Sequence, residues 1–180
     1  MTNINTDRLC LRPFEEAHIE GLNAMNADPA VMRYLTGRAE TRQETERLVE
    51  QVRRRWREAG HSWWSFLDRQ SGEVIGAGCV QHLRRTDSDE PDPACPLELG
   101  WRLRRDHWRR GLAFEAGLAM AGFAFDVLGT REVYTVCHPE NVASAAVIRK
   151  LGMQFIGPGT WYGETMDTYR QDAAAWAARS

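Results

Sequence analysis

The chain has 180 residues, 43% of them hydrophobic, so it is long enough to bury the core of one globular domain spanning 1–180. Its 23 Lys and Arg residues and 25 Asp and Glu residues leave a net charge of −2, which argues against a protein that wraps nucleic acid by overall charge. No signal-like or membrane-length apolar segment is found, and the cysteines Cys10, Cys79, Cys95 and Cys137 have no metal or redox spacing. We therefore expect a soluble cytoplasmic protein with free thiols and no metal site.

The first part of the chain predicts one strand followed by helices. The predicted elements are a strand at 8–12, a helix at 15–26, a helix start at 28–29 and a long helix at 41–59. The long helix begins with the capping-box pattern Thr41–Glu44 and is followed by Gly60. Leu48, Val52 and Trp56 recur every four residues, so we expect them to form its apolar face.

The rest of the chain predicts mainly strands, interrupted by two helices. The predicted strands lie at 62–67, 74–83, 97–103, 131–137, 154–161 and 167–172, and the predicted helices at 112–127 and 141–151. The clearest strand is 97–103, in which apolar residues alternate with charged or small ones. The segment 86–96 is acidic and rich in proline, which is typical of a surface loop. This order of elements predicts an α/β domain with a mixed sheet.

The segment Trp108–Ala113 joins the clearest strand to the clearest helix. A helix N-terminus exposes unpaired N–H groups and the positive end of the helix dipole. Arg109 and Arg110 add positive charge there, and Gly111 lets an anion approach the main chain. The segment therefore predicts a pyrophosphate cradle, although it has neither the Walker pattern nor G-x-G-x-x-G. A tight turn with two solvated arginines is the alternative interpretation.

Five short motifs occur in order along the chain: TDRLCLR at 6–12, ELGW at 98–101, WRRGLAFEA at 108–116, NVAS at 141–144 and RKLG at 149–152. Together they resemble the GNAT superfamily of acetyl-CoA-dependent N-acetyltransferases, and especially its ribosomal-protein N-terminal acetyltransferase subgroup. The resemblance implies the GNAT fold, a mixed and mostly antiparallel central sheet with helices on both faces. It also implies acetyl-CoA as the acetyl donor and a primary amine as the acceptor.

The resemblance further implies which residues bind the coenzyme. These residues are Trp101, Leu103, Arg109, Arg110, Gly111, Leu112, Ala113 and Asn141. The loop would hold the phosphates through its backbone N–H groups, while the strand around Trp101 and Leu103 and the side chain of Asn141 would contact the pantetheine arm. Arg109 stands where the subgroup usually has glycine. Its side chain would either crowd the phosphates or add a charged contact.

Two residues are candidates for catalysis by the same resemblance. Glu98 would take the proton of the attacking amine, directly or through water. Ser144 would donate a hydrogen bond to the leaving thiolate. Each has a simpler alternative: Glu98 could form a salt link with Arg102, four residues away on the same strand face, and Ser144 could stabilise the first turn of its helix.

The acceptor is left open as a protein N-terminus or a small-molecule amine. Tyr34 and Trp64 are candidates for its binding site, although an aromatic cluster is more often core. His138 has the character of a loop histidine. Two other functions remain to be separated from acetyl transfer: a non-catalytic acyl-CoA sensor and an RNA module that uses the arginines near Arg109. We expect no nucleic-acid or membrane partner, and homodimerisation is left open.

Overall fold

The computed structural model describes residues 2–179, which form eight strands and six α-helices. The strands are β1 (Ile4–Asn5), β2 (Leu9–Pro13), β3 (Trp63–Asp68), β4 (Val74–His82), β5 (Leu97–Leu103), β6 (Glu132–Cys137), β7 (Gln154–Trp161) and β8 (Glu164–Asp172). The helices are α1 (Ile19–Asn26), α2 (Pro29–Met32), α3 (Arg42–Ala59), α4 (Leu112–Gly122), α5 (Val142–Lys150) and α6 (Ala173–Ala177). None of these helices is both long and apolar enough to cross a membrane.

The strands form one eight-stranded sheet in the order β1-β2-β3-β4-β5-β6-β8-β7. β5 and β6 run parallel. The pairs β1–β2, β2–β3, β3–β4, β6–β8 and β7–β8 are antiparallel. The predicted mixed, mostly antiparallel sheet is therefore confirmed.

The described residues group into two compact units, which are considered separately below. Unit 1 contains residues 2–79 and 101–116, and unit 2 contains residues 80–100 and 117–179. Strands β4 and β5 each contribute residues to both units. The expectation of a single domain over 1–180 stays a prediction.

In unit 1, α3 begins and ends where the sequence predicts. The Thr41 side chain accepts a hydrogen bond from the backbone N–H of Glu44, the Glu44 side chain caps the N–H of Thr41, and Gly60 ends the helix with φ 74°. The predicted apolar face needs one correction, because Val49 is buried and Leu48 is only half-buried. Steps of three and four residues both stay on one face of a helix with 3.6 residues per turn, so Val49, Val52 and Trp56 share the buried face.

The close packing of β5 in unit 1 depends on a glycine of β4. A Cβ atom on Gly76 would lie 2.5 Å from Leu103 Cδ2 and 2.8 Å from the carbonyl oxygen of Arg102. The backbone N–H of Arg104 also donates to the carbonyl of Ile75 at 2.8 Å. The C-terminal end of β5 is thus held against β4 at a spacing that leaves no room for a side chain on Gly76.

In unit 2, α4 packs closely against the end of α5. A Cβ atom on Gly117 would lie 2.8 Å from Leu151 Cδ1, so a side chain at this position would require Leu151 to shift. The helix predicted to reach residue 127 is only partly α-helical, because Phe123–Val127 is a π-helical segment. The short elements β1 and α6 are not in the sequence-based prediction. Asp172 caps α6 by accepting from the N–H of Ala175 at 2.8 Å.

Replacing Thr41 with alanine should remove the oxygen that caps α3 while leaving its helix propensity intact. We expect the free energy of unfolding to fall by about 1 kcal/mol, measured by urea denaturation. Gln43→Ala, an exposed change in the same first turn, is the matched control and should have an effect below about 0.5 kcal/mol. Equal losses in the two variants would contradict a stabilising role of the cap.

Candidate active site

In unit 1, residues 104–111 form the loop that leads from β5 into α4. The indole Nε1 of Trp108 donates to the carbonyl oxygen of Leu103 at 2.8 Å, which ties the loop to the end of the strand. The first helical bond runs from the N–H of Glu115 to the carbonyl of Gly111 at 3.1 Å. The N–H groups of Leu112 and Ala113 precede this bond and lie outside the helical ladder. The loop therefore ends at a helix N-terminus suited to an anion, as the sequence predicts.

The backbone of this loop adopts the left-handed conformation at two positions. Arg109 has φ 60° and Gly111 has φ 77°, both in the left-handed region. A residue with a Cβ atom is strained there by about 1–2 kcal/mol, whereas glycine is not. The side chains of Arg109 and Arg110 are exposed. The loop thus combines positive charge with a backbone conformation that costs free energy at Arg109.

A cluster of charged and polar groups braces the loop from the N-terminal segment. Glu115 of α4 accepts from Thr6 Oγ1 at 2.5 Å and from Arg8 at two atoms, the backbone N at 2.8 Å and Nε at 2.7 Å. Arg8 Nη1 also donates to the carbonyl oxygen of Arg110 at 2.7 Å. Burial acts to raise the pKa of Glu115, but the hydrogen bonds from Thr6 and Arg8 outweigh it and lower the pKa overall. Glu115 therefore stays charged and fixes the loop backbone.

The other predicted coenzyme-binding residues have mixed exposure. The side chains of Leu103 and Leu112 are buried, while Trp101 and Ala113 are half-buried. In unit 2, Asn141 caps α5: its Oδ1 accepts from the backbone N–H of Ser144 at 3.1 Å.

His138 precedes Asn141 in the sequence and Ser144 follows it. The hydroxyl of Ser144 makes no hydrogen bond to any residue from 2 to 179, so the stabilisation of the first turn comes from Asn141 and not from Ser144 Oγ. His138 Nδ1 accepts from the backbone N–H of Glu140 at 3.1 Å, in keeping with a loop histidine.

The candidate base, Glu98, is nearly enclosed within unit 2. Its side chain is buried, with a residue exposure of only 5%. Gln81 Nε2 donates to Glu98 Oε1 at 3.2 Å, and the Tyr162 hydroxyl donates to the same oxygen. The hydrogen-bond partners of the Glu98 carboxylate are therefore Gln81 and Tyr162, whereas the salt-link interpretation assigned Arg102 as its partner. Burial raises the pKa of Glu98, and Tyr162, Gln81 and the charge of Arg84 offset only part of that rise.

Tyr162 is held in place by the turn between β7 and β8. Tyr162 and Gly163 both have positive φ, 58° and 78°, as in a two-residue hairpin turn of type I′. Their N–H groups donate to the carbonyls of Arg84 at 2.9 Å and Arg85 at 3.1 Å, and the Arg84 guanidinium lies 4.5 Å from the Tyr162 ring centroid. The sequence analysis missed Tyr162. The Tyr-Gly pair between two predicted strands could have indicated a hairpin turn at this position.

Trp64 has a core position, which corrects the suggestion that it binds the acceptor. It is fully buried, its Nε1 donates to the carbonyl of Thr2 at 2.8 Å, and the Trp56 ring meets it edge-on with centroids 4.8 Å apart. It therefore offers no surface to a ligand. Tyr34 is half-buried in the turn after α2, with the Arg33 guanidinium 4.9 Å from its ring centroid. A role for Tyr34 in acceptor binding stays a prediction.

The comparisons with known proteins agree with this geometry. Over residues 8–154 the sequence matches the family described as the acetyltransferase (GNAT) domain. The chain belongs to the GNAT acetyltransferase family. Among residues 2–179, no three His, Cys, Asp or Glu side chains form a group that could hold a metal ion. By this membership the chain is an N-acetyltransferase, and GNAT enzymes use acetyl-CoA as the acetyl donor.

Sequence relatives and solved GNAT structures cover nearly the whole chain. The uncharacterized protein YkkB of Bacillus subtilis (strain 168) is 28% identical over 183 residues, covering 99% of this chain and 96% of YkkB. An acetyltransferase from Agrobacterium tumefaciens is 26% identical with a TM-score of 0.77, covering 95% of this chain and 94% of its own. The ribosomal L7/L12 acetyltransferase RimL, solved in complex with coenzyme A, shares the fold at 16% identity with a TM-score of 0.76, covering 97% of this chain and 99% of its own.

A second ribosomal-protein enzyme has the same fold. The ribosomal-protein-S5-alanine acetyltransferase of Vibrio fischeri has a TM-score of 0.78 at 14% identity, covering 98% of this chain and 99% of its own. The resemblance to the ribosomal-protein acetyltransferase subgroup therefore has counterparts among the structural neighbours.

Replacing Glu115 with glutamine should loosen the brace of the loop at residues 104–111. Because the pKa of Glu115 is lowered in the folded state, its stabilisation is present above its unfolded pKa of about 4.3 and is lost as the pH falls below that value. We expect a loss of about 1–2 kcal/mol in unfolding free energy at pH 7 and a smaller loss at pH 3, because the stabilisation vanishes only as the pH falls through the lowered folded-state pKa.

The matched control is Glu132→Gln, which removes a more exposed carboxylate 3.5 Å from Arg170. It should cost less than about 0.5 kcal/mol. A Glu115→Gln effect that is equally large at both pH values would contradict the charged brace.

Proposed function

We propose that this GNAT protein transfers the acetyl group of acetyl-CoA to a primary amine by direct attack in a ternary complex, with Glu98 as the general base. The observation that carries the proposal is the buried carboxylate of Glu98, whose pKa is raised while two hydrogen bonds hold its orientation. A higher pKa makes a carboxylate a stronger base, and a general base works best when its pKa lies near the operating pH. Structural ion pairs lower a carboxyl pKa instead, so this environment favours catalysis.

Donor binding is supported by the loop between β5 and α4. Its N–H groups at the start of the helix, and the exposed Arg109 and Arg110, suit the negative charge of the coenzyme phosphates. β5 pairs with β6 at a single register position, Glu98 opposite Tyr134, and so short a pairing leaves backbone groups of β5 for the amides of a pantetheine arm. RimL, which has the same fold, was solved with coenzyme A.

The proposed reaction needs no covalent enzyme intermediate. The neutral amine attacks the acetyl carbonyl carbon, the new C–N bond forms, and Glu98 takes the proton released from nitrogen. The C–S bond then breaks and the thiolate leaves, stabilised by a hydrogen bond from the Ser144 hydroxyl. That hydroxyl has no partner among residues 2–179, so it can turn towards sulfur without losing a bond.

Two fold neighbours support a class of acceptor. Both are ribosomal-protein acetyltransferases, and RimL is an α-N-protein acetyltransferase. We propose an α-amine on a peptide or amino acid as the acceptor. An α-amino group has a pKa near 8, so a large share is protonated at pH 7 and a base accelerates its reaction.

Donor binding is tested by titrating acetyl-CoA into the protein in a calorimeter, with ATP and NAD as control ligands. We expect micromolar binding of acetyl-CoA alone, lost in Gly111→Asp, because an aspartate adds negative charge and strain at φ 77°. Gly129→Asp is the matched control: φ is 66° there, and no atom lies within 4 Å of the added Cβ. No binding by the folded wild-type protein, or equal loss in both variants, would overturn the proposed donor site.

The base is tested through the pH dependence of kcat. In Glu98→Gln we expect kcat to fall by about 10²–10⁴-fold at low pH, and by less at high pH, where the amine is already neutral. Tyr162→Phe removes a hydrogen bond that stabilises the carboxylate, so the pKa of Glu98 should rise and the acidic limb of the profile should move to higher pH.

A purely structural role of Tyr162 would lower kcat without moving that limb. An unchanged profile in Glu98→Gln would remove Glu98 as the base. A protein that binds acetyl-CoA but releases no thiol with any amine would be a sensor.

A further inference from the structure

A cavity of about 370 Å³ lies in unit 1, where α1 and α2 meet the first residues of the loop after β5. Its apolar wall is formed by Ala24, Met25 and Val31, and its other lining residues are charged: Asp28 and residues 104–106. Ala24 is exposed in this wall, so the cavity opens to solvent. Small-molecule sites have volumes of roughly 300–1,000 Å³ and combine apolar walls with a few polar groups. The cavity therefore has the size and lining of a site for a small ligand.

Two of the charged lining residues, Arg104 and Asp106, already have partners within the protein. Arg104 Nη2 lies 2.9 Å from Asp106 Oδ2, and Arg104 Nη1 lies 3.7 Å from Glu73 Oε2. The other carboxylate oxygen of Asp106 lies 2.9 Å from His107 Nδ1. The hydrogen bonds from His107 and Arg104 lower the pKa of Asp106, so this carboxylate stays charged and paired. Neither residue has a charge left over for a ligand.

The other two charged residues, Arg105 and Asp28, have binding groups to spare. The Arg105 side chain is exposed, and its guanidinium makes no hydrogen bond or ion pair with any residue from 2 to 179. Asp28 is half-buried, and its Oδ1 caps α2 by accepting from the backbone N–H of Ala30 at 2.8 Å. Its Oδ2 has no hydrogen-bond partner in the same part of the chain. The cavity thus offers one cation and one carboxylate oxygen beside an apolar wall.

These groups together match a ligand that carries both charges and an apolar part. A free α-amino acid has a carboxylate and, at pH 7, an ammonium group on the same carbon, and an aliphatic side chain can lie against the apolar wall. A simple anion such as phosphate would meet a like charge at Asp28, and a simple amine would meet one at Arg105. A zwitterion avoids both repulsions.

We propose that this cavity binds a free amino acid with an aliphatic side chain, whose carboxylate pairs with Arg105 and whose ammonium group pairs with Asp28. The planar guanidinium can donate two parallel hydrogen bonds to a carboxylate. Asp28 Oδ2 can accept from the ammonium group while Oδ1 keeps the α2 cap. The inference does not rest on the proposed acetyl transfer, because it concerns binding within unit 1 and needs no coenzyme.

The test is an amide NMR titration of the protein with L-leucine in the absence of acetyl-CoA. We expect saturable shifts of the signals from residues 24–31 and 104–106, with a Kd below about 1 mM. Leucinamide lacks the carboxylate and N-acetyl-leucine lacks the ammonium group, so each should bind at least about tenfold more weakly. Glycine should also bind more weakly, because it has no side chain to place against the apolar wall.

Two variants assign the charged groups. Arg105→Gln should weaken L-leucine binding about tenfold and leave leucinamide binding unchanged, because leucinamide has no carboxylate to lose a partner. Asp28→Asn should weaken L-leucine binding by a similar factor and leave N-acetyl-leucine binding unchanged, and it keeps the helix cap because asparagine caps as well as aspartate. Arg57→Gln, an exposed change on α3 outside the cavity, is the matched control and should bind L-leucine as wild type does.

Three results would overturn the inference. They are the absence of a saturable shift with L-leucine up to about 10 mM, equal binding of L-leucine and its two derivatives, and L-leucine binding that neither Arg105→Gln nor Asp28→Asn weakens. The last result would place the amino acid elsewhere on the protein. The proposed function stands or falls separately, because the calorimetric titration of acetyl-CoA and the thiol-release assay do not depend on this cavity.

Discussion

The burial of charge on strand β5 is the constraint on which the functional features of this protein depend. In unit 2, hydrogen bonds from Gln81 and Tyr162 orient the Glu98 carboxylate. In unit 1, the Trp63 ring lies 4.8 Å from the Arg102 guanidinium. An incompletely paired buried charge raises the free energy of the folded protein, and such charges are found more often at functional sites than elsewhere.

The loop between β5 and α4 faces a different physical problem. Its backbone has left-handed residues at Arg109 and Gly111, and an arginine adopts this conformation only under strain. The network of Glu115, Arg8 and Thr6 supplies the stabilisation by fixing the helix start and the carbonyl of Arg110. Under the proposed donor site, coenzyme binding and local stability would be linked through one carboxylate, which lies outside the loop itself.

Local patterns in the sequence were sufficient to predict most of the fold. The alternation in β5, the capping box at Thr41 and the cap at Asn141 are short-range signals, and the structure has each element where they indicate. The π-helical segment and the burial of Val49 instead of Leu48 depend on packing, which local periodicity describes only approximately.

The candidate site was less predictable, because its contacts join residues far apart in the chain. The partner of Glu98 was assigned to Arg102, four residues away, whereas Tyr162 lies 64 residues away. The brace between Arg8 and Glu115 spans 107 residues, although both lie in motifs that carried the family resemblance. For Trp64, the sequence could not distinguish a residue that lines a pocket from a core residue. Its complete burial in the structure shows that it is a core residue.

The hairpin turn that carries Tyr162 has a consequence for how this enzyme can diverge. Because the proton affinity of Glu98 depends partly on a hydroxyl from a two-residue turn, a substitution of Tyr162 can change the pKa of this carboxyl without altering β5. Hairpin turns accept sequence change more readily than central strands. Under the proposed role of Glu98 as base, homologues adapted to acidic or alkaline surroundings would be expected to differ first at Tyr162, while β5 and Gly163, whose φ of 78° favours glycine, stay unchanged.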